Sequence, residues 1–238
     1  MTGALAASLI ANIILLLSLR HLYIEKKIMA AEPAHATFFQ QQNLADRASA
    51  QKLIVLFGDS RISQWSPALS VDGYKVVNRG IAGETTAQMI QRFDADVLGL
   101  RPATVVIEAG INDLVAAGLD AEEGDRVRAQ TVEHLASMVE QAKAADVRVI
   151  LFTIMPPSEP SPLRRLVWSK RIPDHVARAN RELSGLHDPP RVRLLDMAKI
   201  LQSAPGQWRP GMALDTLHFT PAAYRALNTA TRTALVED

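Results

Sequence analysis

The chain has 238 residues, 48% of them hydrophobic, with 26 Lys and Arg against 25 Asp and Glu for a formal net charge of +1, and no cysteine. That length accommodates one domain of about 200 residues with a real core, plus a small appendage. A near-zero balance of scattered charges leaves no nucleic-acid footprint, and without cysteine there is neither a disulfide framework nor a thiolate zinc site.

The first segment, Ala4 to Leu19, reads ALAASLIANIILLLSL, and no side chain from Met1 to Leu19 is charged. This is at the short end of a membrane-spanning helix, which needs roughly 17–25 residues. Three readings compete: a signal anchor over residues 1–20, a cleaved signal peptide, and an ordinary buried helix. The anchor is favoured, giving a protein held in a membrane by a single N-terminal helix (the inner membrane, in a bacterium). A signal peptide opens with a basic region that is missing here, and the A-x-A-like Ala34-His35-Ala36 lies far beyond the apolar run. A buried helix fits poorly with a terminal run followed at once by Arg20, His21, Lys26 and Lys27. Those basic residues put the domain in the cytoplasm by the positive-inside rule, whereas an exported, anchored domain needs the opposite. The side of the membrane is therefore left open.

Residues 21–51 are mixed, polar and rich in alanine and glutamine, and read as a juxtamembrane connector, partly helical. No repeat and no low-complexity segment follows. From residue 52 to 238 the pattern alternates. Short β-branched, apolar runs at 53–57, 75–78, 104–110, 148–154 and 192–197 are separated by helix-like stretches at 84–98, 121–145, 172–186 and 220–235. Alternation of this kind predicts βαβ units, a mostly parallel five-stranded sheet and right-handed crossovers. The expected fold is α/β, three-layered and flavodoxin-like, with active groups at the carboxyl ends of the strands.

Four blocks carry candidate chemistry, the first three at the ends of predicted strands. Gly58-Asp59-Ser60 closes the first, and Ser60 reads as a helix N-cap or as a nucleophile. Asn78 to Thr86, NRGIAGETT, follows the second. Its glycines make either an ordinary tight turn or a backbone N–H aimed at an anion. Glu108 to Leu114, EAGINDL, follows the third, with Asn112 as a turn residue or an amide donor. Asp215 to Tyr224, DTLHFTPAAY, precedes the last helix. Asp215 and His218 stand three apart, so the carboxylate can reach the imidazole Nδ1–H and leave Nε2 facing a nucleophile.

Taken together and in this order, the blocks resemble the SGNH family of GDSL-type serine esterases and lipases, over nearly all of residues 52–236. The resemblance implies Ser60 as nucleophile from FGDS, Gly83 rather than Gly80 as an oxyanion donor from N-x-x-x-x-G-x-T, Asn112 as another from G-x-N-D, and Asp215 and His218 as acid and base from D-x-x-H. The Ser60 N–H completes the oxyanion hole. Two positions depart from the family pattern: Arg61 stands where an apolar residue is more usual, and Ala223 replaces a glycine. Arg61 either approaches an anionic substrate or lies along the helix surface. Asp59 is a poor candidate for the triad acid, because its side chain leaves the backbone one residue before Ser60. The residue two after Ser60 is Ile62, so this is not the Gly-x-Ser-x-Gly elbow of the α/β-hydrolases. No metal or nucleotide motif is present, and no cofactor is implied.

The longest irregular stretch, Met155 to Arg171, combines Arg164, Arg165, Lys170 and Arg171 with Leu166, Val167 and Trp168. It reads as a lid over an amphiphilic or acidic acylated substrate, as a loop resting on anionic lipid, or as a solvated loop whose tryptophan packs on the core. Arg61 and Trp168 are the substrate-binding candidates. The expected function is carboxylic ester hydrolysis through an acyl-enzyme, on an acylated small molecule, lipid or carbohydrate, with a carbohydrate O-acetylesterase favoured. A lysophospholipase or thioesterase is the enzymatic alternative, and a catalytically silent, membrane-tethered binding module is the other. The sequence does not set the oligomeric state.

Overall fold

A computed structural model describes residues 2–31, 37–119, 123–160 and 168–236, in two compact units, Met1–His35 and Ala36–Asp238. The first unit holds α1 (Thr2–Ala31). Its described side chains, Ala6–Leu19 and Leu22, are all exposed. Among the described residues no helix is long and apolar enough to cross a membrane, so the spanning segment expected over residues 1–20 is not supported.

In the second unit β1 (Lys52–Gly58), β2 (Tyr74–Gly80), β3 (Thr104–Glu108), β4 (Arg148–Phe152) and β5 (Val192–Leu195) form one parallel sheet in the order β2-β1-β3-β4-β5. This is the flavodoxin-like order, with its topological switch beside β1. One face packs Val55, Phe57, Val105, Ile107, Val149 and Leu151 against α4 (Thr86–Asp96), α6 (Gly124–Ala144) and α7 (Ile172–Leu183). The other packs Ile54, Leu56, Val106, Ile150 and Phe152 against α8 (Met197–Leu201) and α9 (Pro221–Val236). Both faces are covered, which is why these strands read as continuous apolar runs instead of alternating ones.

The sequence pattern misses the short elements. α3 (Ser60–Ser63) and α5 (Ile111–Leu119) follow β1 and β3 directly, and a small antiparallel ribbon joins β6 (Gln202–Ala204) to β7 (Gln207–Trp208). α3 lies hard on the sheet edge: a Cβ at Gly80 would stand 2.2 Å from the Ser63 backbone nitrogen. Only glycine lets the helix that carries Ser60 approach β2 so closely.

The connector expected over 21–51 is not free along its whole length. α2 (Gln40–Arg47) docks on the domain through polar groups. Asn43 accepts from Arg79 Nε at 2.8 Å and donates to Asp96 at 2.6 Å. Asp46 pairs with Lys75 at 2.8 Å and with Arg79, and the Phe39 ring lies 4.8 Å from the Arg79 guanidinium. The compact unit therefore begins before α2 and not at residue 52. With the Arg79 side chain 4% exposed, removing its carboxylate strands a buried charge. Asp46→Ala is expected to cost about 3 kcal/mol in urea unfolding, against less than about 0.5 kcal/mol for the exposed Gln41→Ala. Equal small effects would mean that α2 is merely tethered.

Candidate active site

β1 ends at Gly58, Asp59 caps α3 by accepting the Arg61 N–H at 2.9 Å, and Ser60 opens the helix. The serine thus stands at the carboxyl end of a strand beside the switch point, where the crevice of such sheets lies. From the loop before α9, His218 Nε2 comes to 3.0 Å from Ser60 Oγ, while Nδ1 lies 2.8 Å from Asp215 Oδ2. The other Asp215 oxygen accepts the backbone N–H groups of Leu217 at 2.7 Å and His218 at 2.8 Å. Burial pushes the Asp215 carboxyl up, but the His218 ring and these N–H groups outweigh it and hold the pKa at about 2. An ionised Asp215 can only accept, which makes Nδ1 the donor and leaves Nε2 as acceptor for the serine hydroxyl.

The other two blocks flank this one, because β2 and β3 are the neighbours of β1 and their ends pair with Gly58 through Gly80 and Glu108. Gly83 has φ 82°, and a Cβ there would meet nothing within 4 Å, so the residue borders open space. Asn112 is half-buried in the first turn of α5 instead of a turn. Its amide donates to the carbonyl of Glu84, the residue after Gly83, at 2.9 Å. One amide hydrogen fixes the side chain beside the glycine loop and leaves the second for another acceptor. Buried carboxylates hold the loop. Glu84 binds Arg92 Nε at 2.8 Å, Arg92 binds Asp96 at 2.9 Å, and Asp113 accepts the Thr86 hydroxyl at 2.7 Å and the Thr86 N–H at 3.0 Å. Thr86 Oγ1 in turn lies 3.1 Å from His134 Nδ1.

Arg61 requires a correction. Its side chain has no exposed surface, so it neither faces a substrate nor lies along the helix surface. Nη1 donates to Glu108 at 3.1 Å, Nη2 to the Met155 carbonyl at 3.1 Å, and Nε to the Leu217 carbonyl at 2.9 Å. The guanidinium turns inward because Glu108, at the end of an apolar strand, cannot remain charged without a partner. Desolvation raises the Glu108 pKa, and it raises that of Asp59 well above the ordinary range, with the Glu108 charge adding to the effect. Sequence reasoning assigned no role to Glu108. A carboxylate closing the run TVVIE was the available signal.

Of the loop after β4, Arg164, Arg165, Leu166 and Val167 lie outside the described residues. Its first part is stitched to the histidine loop: Ser158 N–H donates to the Thr216 carbonyl and Ser158 Oγ to the Asp215 carbonyl, each at 2.9 Å. Trp168 is half-buried. Among the described residues, no cluster of three or more His, Asp or Glu could hold a metal ion.

A family model described as GDSL-like Lipase/Acylhydrolase family matches residues 44–226. The chain is 35% identical to Esterase TesA of Pseudomonas aeruginosa over 134 residues, which are 48% of this chain and 60% of that one. It spans little more than half the length of the curated relatives it matches. A GDSL-like lipase from Bacteroides thetaiotaomicron superimposes with a TM-score of 0.70 at 27% identity, over 86% of this chain and 98% of that one. A variant of an acetyl xylan esterase from Geobacillus stearothermophilus gives 0.57 at 21% identity, over 79% and 95%, a likeness of fold alone.

The raised Asp59 pKa has a consequence for stability. Above about pH 4, the ordinary carboxylate value, the folded protein holds a proton there that the unfolded chain has released. Stability therefore falls as pH rises towards the folded pKa. Asp59→Asn keeps an acceptor for the Arg61 N–H and removes the ionisation. Urea unfolding at pH 5 and pH 8 is expected to show a smaller fall in the variant than in the wild type, and an equal or larger fall would contradict this account of Asp59.

Proposed function

The chain belongs to the GDSL-like lipase/acylhydrolase family, and from that premise we propose that it cleaves carboxylic esters through a Ser60–His218–Asp215 triad. The observation that carries this reading is the continuous series of contacts at 3.0 and 2.8 Å from Ser60 Oγ through His218 to Asp215. His218 Nε2 takes the hydroxyl proton as Ser60 Oγ bonds to the ester carbonyl carbon. Asp215 holds the ring and stabilises the imidazolium. The negative charge on the carbonyl oxygen is met by the N–H groups of Ser60 and Gly83 and by the Asn112 amide. The tetrahedral adduct then collapses, His218 returns the proton to the leaving alkoxide, and the acyl group stays on Ser60. Water, deprotonated by His218, adds to the acyl carbon, and a second collapse frees the acid and restores the serine.

For substrate, the reading favours short acyl groups such as acetyl on a carbohydrate. The acetyl xylan esterase that shares the fold supports it. Trp168 is the proposed substrate-binding residue of the loop after β4.

The exposed leucines and isoleucines of α1, from Leu9 to Leu22 and each 46–65% exposed, form an apolar surface that calls for cover. We assign it to membrane anchoring. The full chain is then expected to stay with membranes through alkaline carbonate washing, and a chain lacking residues 1–31 to be released. Release of both would remove the anchor.

Ser60→Ala and His218→Ala are each expected to lower kcat on p-nitrophenyl acetate by about 10⁴-fold or more, and Asn112→Ala by roughly 10²–10³-fold. Turnover of acetate esters should exceed that of octanoate esters. A preference for octanoate would favour the lysophospholipase or thioesterase reading. Equal background rates in the folded wild type and both triad variants would favour a silent binding module.

A further inference from the structure

We propose that Arg61 is the positioning residue of the site, a buried clamp that sets His218 against Ser60. This rests on the hydrolase reading above and adds a residue to it. The peptide unit between Leu217 and His218 is held at both ends. Its carbonyl accepts from Arg61 Nε at 2.9 Å, and its N–H donates to Asp215 Oδ1 at 2.8 Å. A peptide is planar, so fixing both groups fixes the plane and with it the position of the His218 Cα. On the other side of the histidine, the Phe219 ring lies 4.8 Å from the same guanidinium. Arg61 therefore grips the residue before His218 and the residue after it.

The same side chain is tied to the nucleophile. Arg61 directly follows Ser60, its N–H is bound by Asp59, and its carbonyl accepts from the Tyr224 hydroxyl of α9 at 2.7 Å. Glu108 and the Met155 carbonyl take the two terminal nitrogens, so the guanidinium cannot turn away from Leu217. Nucleophile and base, 158 residues apart in sequence, are thus referenced to one planar, three-way fork. Lysine cannot replace it, because an ammonium on a flexible stem lacks the fixed fork that meets three acceptors at once. A shift of about 1 Å between reacting groups is enough to cost roughly 10²-fold in rate.

Arg61→Lys keeps the positive charge opposite Glu108 and dissolves the fork. It is expected to lower kcat on p-nitrophenyl acetate by about 10- to 100-fold, to leave KM within about threefold, and to slow fluorophosphonate labelling of Ser60 in parallel. Arg128→Lys serves as the control. It weakens the part-buried pair between Arg128 and Glu182, on α6 and α7 and outside the contacts of Arg61, and is expected to leave kcat unchanged at a comparable loss of thermal stability. Should Arg61→Lys not fold, Glu108→Gln removes only the charge that pins Nη1 and is expected to lower kcat about three- to tenfold at constant KM. A folded Arg61→Lys or Glu108→Gln protein with wild-type kcat and labelling rate would overturn the clamp and leave the hydrolase reading intact. So would a kcat loss no larger than that of the Arg128→Lys control. A wild type that neither turns over esters nor labels would overturn the hydrolase reading, and the clamp with it.

Discussion

A charge in a protein interior must be paired, and here that constraint falls on the residue next to Ser60. Arg61 and Glu108 have side chains 0% and 1% exposed, at a depth where an unpaired ion would cost several kcal/mol. Pairing alone would be satisfied by many geometries. The planar guanidinium narrows them, because its remaining donors also need acceptors and find them in the carbonyls of Leu217 and Met155. The ends of β1, β3 and β4 and the loop before α9 are drawn to a single point. What the fold gives up in desolvation it recovers as a defined arrangement of loops, the use of buried polar groups that has the best support elsewhere.

A second buried guanidinium does for the glycine loop what the first does for the histidine loop. Arg92 lies over the Phe57 ring at 4.4 Å and holds Glu84 and Asp96. Asp96 passes the connection through Asn43 to Arg79 and Asp46. The backbone carbonyl of Glu84 in turn receives the Asn112 amide. The two halves of the candidate site, the proposed base on one side and the proposed oxyanion donors on the other, therefore stand on two separate polar networks. α2 is the outer end of one of them. Networks of this kind give specificity of structure when every member is satisfied.

Much of this was legible in the sequence, for physical reasons that also mark its limits. The five strands are buried on both faces, so runs such as LIVLF and RVILF announce themselves by composition. Ser60, Gly83, Asn112, Asp215 and His218 were named through the resemblance of their sequence blocks to a family, and the structure brings Ser60, His218 and Asp215 within hydrogen-bond reach of one another. The burial of Arg61 was not legible, since the partners that draw it inward lie 47, 94 and 156 residues away. The connector was expected to be partly helical, but the docking of α2 escaped because it runs through Asn43 and Asp46 and not through an apolar face. The membrane span was inferred from hydropathy and absence of charge over residues 1–20, whereas among the described residues no helix is long and apolar enough to cross a membrane.

The most direct measurement of the central claim is to trap the covalent intermediate. The protein would be quenched in acid during turnover of p-nitrophenyl acetate, its intact mass determined and its peptides mapped. This account predicts one acetyl group, on Ser60, abundant in the wild type and absent from Ser60→Ala. An acetyl group on another residue, or turnover with no acylated protein, would contradict it.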